Sequence, residues 1–299
     1  LTKPANHYII LPCILWNLTD PGGTFILREL TLDEIRKIEL EILTAFDLFC
    51  RENDLRYSLG FGTMIGAARH RGFIPWDDDI DVIMPRQDYM KFIRLTNSGM
   101  GRYAVESPYK KKTKSAPPHP YLYTKICDND TIWLSYPKQW KIEMGVNIDV
   151  FPIDGLPADS AKTERHVQRT EKRALVFWIF HMSHYRKNWC EPTLPWRCVN
   201  TVRMLLPQGA AIRFVDRLRM KYPCESTGHI GLLTACYGGR ERALLTDIAE
   251  CVDMEFEGKT FKAMVGYDRL LRNTYGDYMT PPPPEERVRK HDFVAFSKE

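Results

Sequence analysis

What this sequence lacks narrows it first. It has no apolar run approaching the roughly 18–20 residues that cross a bilayer as a helix, so no membrane-spanning helix is expected. The most apolar N-terminal piece, residues 8–18, is broken by Pro12 and Asn17, and no clear small-residue cleavage site follows it. That argues against a signal peptide. Net charge is slight: 42 Lys+Arg against 38 Asp+Glu leave +4, too weak a bias to indicate a nucleic-acid partner. The eight cysteines include no CxxC pair and no zinc-site spacing, and 299 residues build enough core to need no disulfide staples. Scattered free thiols suit a reducing cytoplasm. There is no internal repeat. What is there, 44% hydrophobic and 27% charged residues, is ordinary for a soluble globular chain.

Local signals suggest an order of elements. Thr31 and Glu34 form a capping-box pattern, and Ile35, Ile38, Ile42, Phe46 and Phe49 recur at helical spacing until Asn53 and Asp54. Residues 55–59 read as a short strand, 63–69 as a short helix, and 80–84 as a buried strand ending at Pro85. A helix over 86–96 and strands at 103–106, 121–127 and 146–151 follow. Residues 110–120 are basic and proline-bearing, an exposed loop. Beyond Pro157 the pattern predicts helices over 159–188 and 196–221, a hairpin over 251–256 and 259–261, and a helix over 267–275 stopped by Gly276. The expected fold is α/β (α+β). An N-terminal extension (1–26) precedes a mixed-sheet core (27–157), and a mostly helical C-terminal part (158–299) packs on it as one unit.

The chemistry concentrates between Gly60 and Met84. Asp77, Asp78, Asp79 and Asp81 crowd the start of a buried strand, where their mutual repulsion calls for a counter-charge; a divalent cation is the simplest. Residues two apart on a strand share a face, so Asp79 and Asp81 read as the working pair and Asp77 and Asp78 as turn residues. A solvated acidic turn is the plainer alternative. In Gly60-Phe-Gly-Thr63, Gly62 and Thr63 open a helix whose amides suit a phosphate; an ordinary glycine turn reads the same way.

Taken together, the Gly-Thr turn, the short helix and the Asp-hydrophobic-Asp-hydrophobic run resemble the active-site signature of the nucleotidyltransferase superfamily. The stretch GTMIGAARHRGFIPWDDDIDV closely resembles the LicD family, cholinephosphotransferases of bacterial surface glycans, with fukutin-related phosphoribitol transferases as relatives. The resemblance continues in NIDVFPID (147–154), EFEGKTF (255–261), Gly266-Tyr-Asp268, Tyr275-Gly-Asp-Tyr-Met279 and Pro-Pro-Glu-Glu-Arg287. It departs at Phe61, where the family often has glycine, and in the four prolines of the tail.

The resemblance implies a nucleotidyltransferase-like core. It also implies transfer of phosphocholine, or a similar phospho-alcohol, from CDP-choline or another CDP-alcohol to a hydroxyl of a teichoic acid or lipopolysaccharide precursor. The acceptor is a glycan, lipid-linked or not, and CMP is released by metal-assisted in-line displacement. Asp149 is implied as a third carboxylate, so that Asp79, Asp81 and Asp149 hold Mg²⁺ or Mn²⁺. Asp149 is also the candidate to accept the acceptor's proton. Gly62, Thr63, Arg71 and Lys125 are expected to bind nucleotide phosphate, and Arg69 to stabilise the leaving group. The aromatic–basic stretch 173–189 reads as core or as a surface for peripheral contact at the inner face of the membrane. Two rival readings use the same residues: a nucleotidylyltransferase that releases pyrophosphate from a nucleoside triphosphate, and a non-catalytic glycan- or nucleotide-binding module.

Overall fold

The computed structural model of the chain describes residues 27–110, 119, 121–135, 143–185, 201–202, 209–233, 240–289 and 293–298. The expected N-terminal extension, most of the basic loop at 110–120, the end of the aromatic–basic stretch and much of the helical region before residue 209 lie outside them.

Helix α1 (Leu32–Glu52) starts on the anticipated capping box. The Glu34 amide donates to Thr31 Oγ1 (3.3 Å), and the Thr31 amide donates to Glu34 Oε2 (2.8 Å). Its buried face carries Ile35, Ile42, Leu43 and Phe46. Ile42, Leu43 and Phe46 join Tyr89, Phe92 and Ile93 of α3 (Arg86–Leu95) in one core with the central strands, while Ile35 packs with Leu30, Val146 and Phe293. The Phe46 and Phe92 rings meet edge to face at 5.5 Å.

The central strands are β3 (Asp81–Pro85) and β8 (Asn147–Gly155), paired in parallel. Val82, Ile83, Met84, Ile148 and Val150 are fully buried, the continuous apolar run of strands covered on both faces. Beyond β3 lies β2 (Ser58–Leu59). On its other side β8 is shared: β5 (Thr124–Asp128) pairs with its first half and β9 (His229–Gly231) with its end, both antiparallel. β4 (Tyr103–Glu106) and β10 (Arg242–Leu244) extend these to seven strands. A second sheet runs β1 (Leu27–Glu29), β13 (Phe293–Lys298), β6 (Thr131–Ser135), β7 (Glu143–Met144). β11 (Cys251–Phe256) and β12 (Lys259–Met264) form the expected hairpin, longer by three residues.

The remaining helices are α2 (Phe61–His70), α4 (Ser160–Tyr185), α5 (Ala210–Arg219), the single turns α6 (Cys224–Thr227) and α7 (Leu245–Ala249), and α8 (Tyr267–Tyr275). Among the described residues, the C-terminal part also holds strands that its pattern did not announce. β9 and β10 complete the core sheet, and β13 bridges β1 and β6. These strands are short and find partners far away in sequence, so no local periodicity announces them. A buried ionic fork ties this part to the core: Arg86 donates to both carboxylate oxygens of Asp154 (2.7 and 2.6 Å), and Arg219 at the end of α5 lies 3.3 Å from Asp154 Oδ2. Cys50, Cys127, Cys224 and Cys251 are free thiols. Among the described residues, no helix is long and apolar enough to cross a membrane.

Candidate active site

The parallel ladder of β3 and β8 sets Asp81 opposite Asp149, and β5 sets Lys125 opposite Asp149 on the other side. Backbone bonds fix the strand entry. The Gly60 amide donates to Asp81 O (2.9 Å), the Asp149 amide donates to Ile80 O (2.9 Å), and the Asp81 amide donates to Thr63 Oγ1 (2.8 Å). Thr63 is buried, so its hydroxyl positions Asp81 from beneath.

Strand β3 begins only at Asp81, so strand alternation does not relate Asp79 to Asp81. The closest grouping is instead Asp77, Asp78 and Asp79, each with a carboxylate oxygen within 4.8 Å of the others. Asp77 and Asp78, expected to be turn residues, thus belong to the cluster. The run from Asp77 to Ile80 is irregular, and it gathers side chains that a strand would have sent to opposite faces.

Three contacts hold that run in place. From α1, Arg36 donates to the carbonyls of Ile74 (3.1 Å), Pro75 (2.9 Å) and Asp77 (2.6 Å). At the first turn of α2, a Cβ on Gly62 would stand 2.4 Å from Asp77 Oδ2, so only glycine lets the helix approach the carboxylate this closely. From the tail, Arg289 Nε donates to Asp78 Oδ2 (2.5 Å) on a fully buried aspartate. The hairpin braces the preceding turn: Glu257 Oε1 accepts from the Phe73 amide (2.9 Å), and the Glu257 amide donates to Arg71 O (2.9 Å).

The site carries excess negative charge. Burial, then Asp79, Asp149 and Asp77, push the Asp81 carboxyl well above the usual range, with Lys125 pulling the other way. Glu39 of α1 meets the same field. It is buried, its Oε2 has no hydrogen-bond partner, and burial followed by Asp79, Asp78, Asp149 and Asp77 raises its pKa strongly. Lys125 Nζ donates to Asp149 Oδ1 (2.5 Å) and Asn147 Oδ1 (2.9 Å). Burial is the largest single influence on Lys125 and lowers its pKa, but Asp149, Tyr121 and Cys127 together outweigh it and the net shift is upward. Among the described residues, the pocket gathers hard oxygen donors of the kind that can hold a divalent cation. Asp77, Asp78, Asp79, Asp81, Asp149 and Glu39 are the residues able to supply oxygens.

The other expected site residues divide. Arg69 donates through Nη1 to Tyr278 O (2.6 Å); burial, and then the charge of Arg287, lower its pKa. Arg71 adopts a left-handed conformation, is exposed, and faces Glu255 of the hairpin at 3.6 Å. It is therefore turned to the hairpin and not to the carboxylates. Lys125 is committed to Asp149. Phe61, Phe151, Tyr123 and Tyr121 form a row of half-buried rings with successive centroids 5.1, 4.3 and 5.1 Å apart, running from the start of α2 past β8.

Arg36, Glu39, Arg287 and Arg289 were not singled out from the sequence. Glu39 had a readable signal: it lies four residues after Ile35 and three before Ile42, a charge on the apolar stripe of α1. Arg287 closes the Pro-Pro-Glu-Glu-Arg287 motif but no role was read for it, and Arg289 had no signal, because only the folded chain brings it to Asp78.

The chain matches a family model described as LicD/FKTN/FKRP, nucleotidyltransferase domain, over residues 54–208. It is 32% identical over 279 residues to the lipopolysaccharide cholinephosphotransferase LicD of Haemophilus influenzae, covering 90% of this chain and 99% of that protein. Shorter similarities link it to uncharacterised proteins of Rickettsia typhi (35% identity over 68 residues, 23% of this chain and 20% of that one) and Rickettsia prowazekii (36% over 61 residues, 20% of each).

Proposed function

Because the chain belongs to the LicD/FKTN/FKRP nucleotidyltransferase family, we propose that it transfers phosphocholine from CDP-choline to a hydroxyl of a lipopolysaccharide precursor and releases CMP. The observation that carries this reading is the carboxylate pocket, in which Asp77, Asp78 and Asp79 gather and burial, then neighbouring carboxylates, raise the pKa of Asp81 and Glu39. Mg²⁺ or Mn²⁺ held by Asp79 and Asp81, with Asp77, Asp149 and Glu39 as further oxygen donors, would neutralise the diphosphate as CMP departs.

The chain's own residues do the rest. The first turn of α2, opened by Gly62, presents backbone amides to phosphate oxygens. Arg69, whose charge burial and then Arg287 disfavour, is relieved by a nearby anion, which suits the leaving phosphate. Lys125 already neutralises Asp149. As the new phosphorus–oxygen bond forms and CMP leaves, the acceptor hydroxyl gives up its proton to a carboxylate of the pocket. The ring row from Phe61 to Tyr121 offers π-faces to the trimethylammonium end of the donor. The absence of a membrane-crossing helix among the described residues is compatible with work on the cytoplasmic side of the membrane, where a lipid-linked precursor is reached from the surface.

A screen of CDP-choline, CDP-ethanolamine, CDP-ribitol and CDP-glycerol with Mg²⁺ and lipopolysaccharide acceptor tests the donor. CMP release with CDP-choline above the other three is expected. No CMP from any of them, or pyrophosphate from CTP, would overturn the assignment.

A further inference from the structure

A second concentration of charge lies in a cleft of about 210 Å³ between α4 and the end of α5. Lys162, Arg165 and Arg169 of α4 follow one another at three- and four-residue spacing and so share a face. Lys221, just past α5, closes the opposite side. Among the described residues, none of these four cations pairs with a carboxylate, so they repel one another across the opening. At its base lies His166, 4% exposed, with its Nε2 buried and unbonded. The Tyr222 ring meets the imidazole edge to face at 4.9 Å and fixes its orientation. Burial, then Lys221, lower the His166 pKa, with Asp154 acting in the opposite sense and Arg169 adding to the depression. Four converging cations above a buried, unsatisfied ring nitrogen make a receptor for an anion with several acceptor oxygens.

The cleft is separate from the carboxylate site. Asp149 stands near the start of β8, and Gly155 at its end abuts the Tyr222 carbonyl so tightly that a Cβ there would meet it at 2.0 Å. Six strand residues at about 3.3 Å each set the two sites about 20 Å apart. The phosphate in transit cannot occupy both. The volume is below that of most drug-sized ligand pockets, so it suits a phosphate and its first attached group, not a nucleotide.

We propose that this cleft binds the phosphate group of a second ligand, distinct from the donor nucleotide. The full chain is titrated calorimetrically with inorganic phosphate against chloride at matched ionic strength, and the same is done with the Arg165→Gln/Arg169→Gln variant. Both side chains are exposed, so the variant is expected to keep its melting temperature in chloride. Saturable phosphate binding that weakens at least tenfold in the variant, and partly returns in Arg165→Lys/Arg169→Lys, is the expected result. Flotation with phosphatidylglycerol vesicles distinguishes the source. Binding displaced by phosphate and lost in the variant points to a lipid headgroup; phosphate binding without flotation points to a soluble phosphorylated ligand. Absence of saturable phosphate binding, or equal binding by the Gln variant, would overturn the proposal.

Discussion

Gly62 shows how a single atom can govern the site. An alanine there puts its Cβ 2.4 Å from Asp77 Oδ2, and the end of a short side chain is what must move. Gly62→Ala is expected to leave the melting temperature nearly unchanged while turnover falls on the order of 100-fold, the effect of displacing a positioned group by about 1 Å. Parallel measurements of kcat and thermal unfolding check this. Glu39 makes the complementary case. Replacing its buried carboxyl with an amide removes one of the mutually repelling acids. Glu39→Gln should therefore unfold at a higher temperature than the wild type in EDTA and gain less from added Mg²⁺; an unchanged gain would exclude Glu39 from the cation's surroundings. The carboxylates themselves were legible in the sequence because they are consecutive. Their grouping was not, because it depends on where β3 begins, and that is set by pairing with β8.

At the scale of elements, what could be read was what is locally determined. The helix α1 announced its start through Thr31 and Glu34, α8 its end through Gly276, and β4 its full extent through residues 103–106. α2 begins two residues earlier than its pattern suggested, and β2 shrinks to two residues, because both yield to the Gly60–Asp81 backbone pairing. β9, β10 and β13 were missed for the same physical reason: a three- to six-residue strand is stabilised by its neighbours, and the neighbours are distant in sequence. The α1 cap yields a pH prediction. The backbone and side-chain hydrogen bonds of Thr31, then Arg28, hold the Glu34 pKa down at about 2 from an ordinary 4.5. A depressed carboxylate pKa adds stability that is present above the unfolded value and is lost as pH falls from about 4.5 toward 2. Acid unfolding of Glu34→Gln, followed by circular dichroism, should be flatter over that window than that of the wild type. Salt weakens the difference, since the group is exposed.

Across the whole molecule, the candidate active site is assembled from both ends of the described chain. α1 contributes Arg36 and Glu39, β3 and β8 the aligned aspartates, and the tail Arg287 and Arg289, the latter on Asp78 more than two hundred residues away in sequence. The hairpin β11–β12 braces the turn that leads into the acidic run. This is why the family resemblance extends to motifs near the C-terminus that carry no obvious chemistry: Glu257 and Tyr278 act by holding Phe73 and Arg69. It is also why a boundary at 157/158 divides a sheet, since β9 completes β8. The proposed role of the acidic pocket is to drive phosphocholine transfer. It is tested most directly by supplying CDP-choline, Mg²⁺ and lipopolysaccharide acceptor to the wild type and to Asp79→Asn, then counting CMP and acceptor-bound phosphocholine. One CMP for each phosphocholine transferred by the wild type, and neither product from a folded Asp79→Asn, is the predicted result; wild-type turnover in Asp79→Asn, or CMP release without phosphocholine on the acceptor, would contradict it.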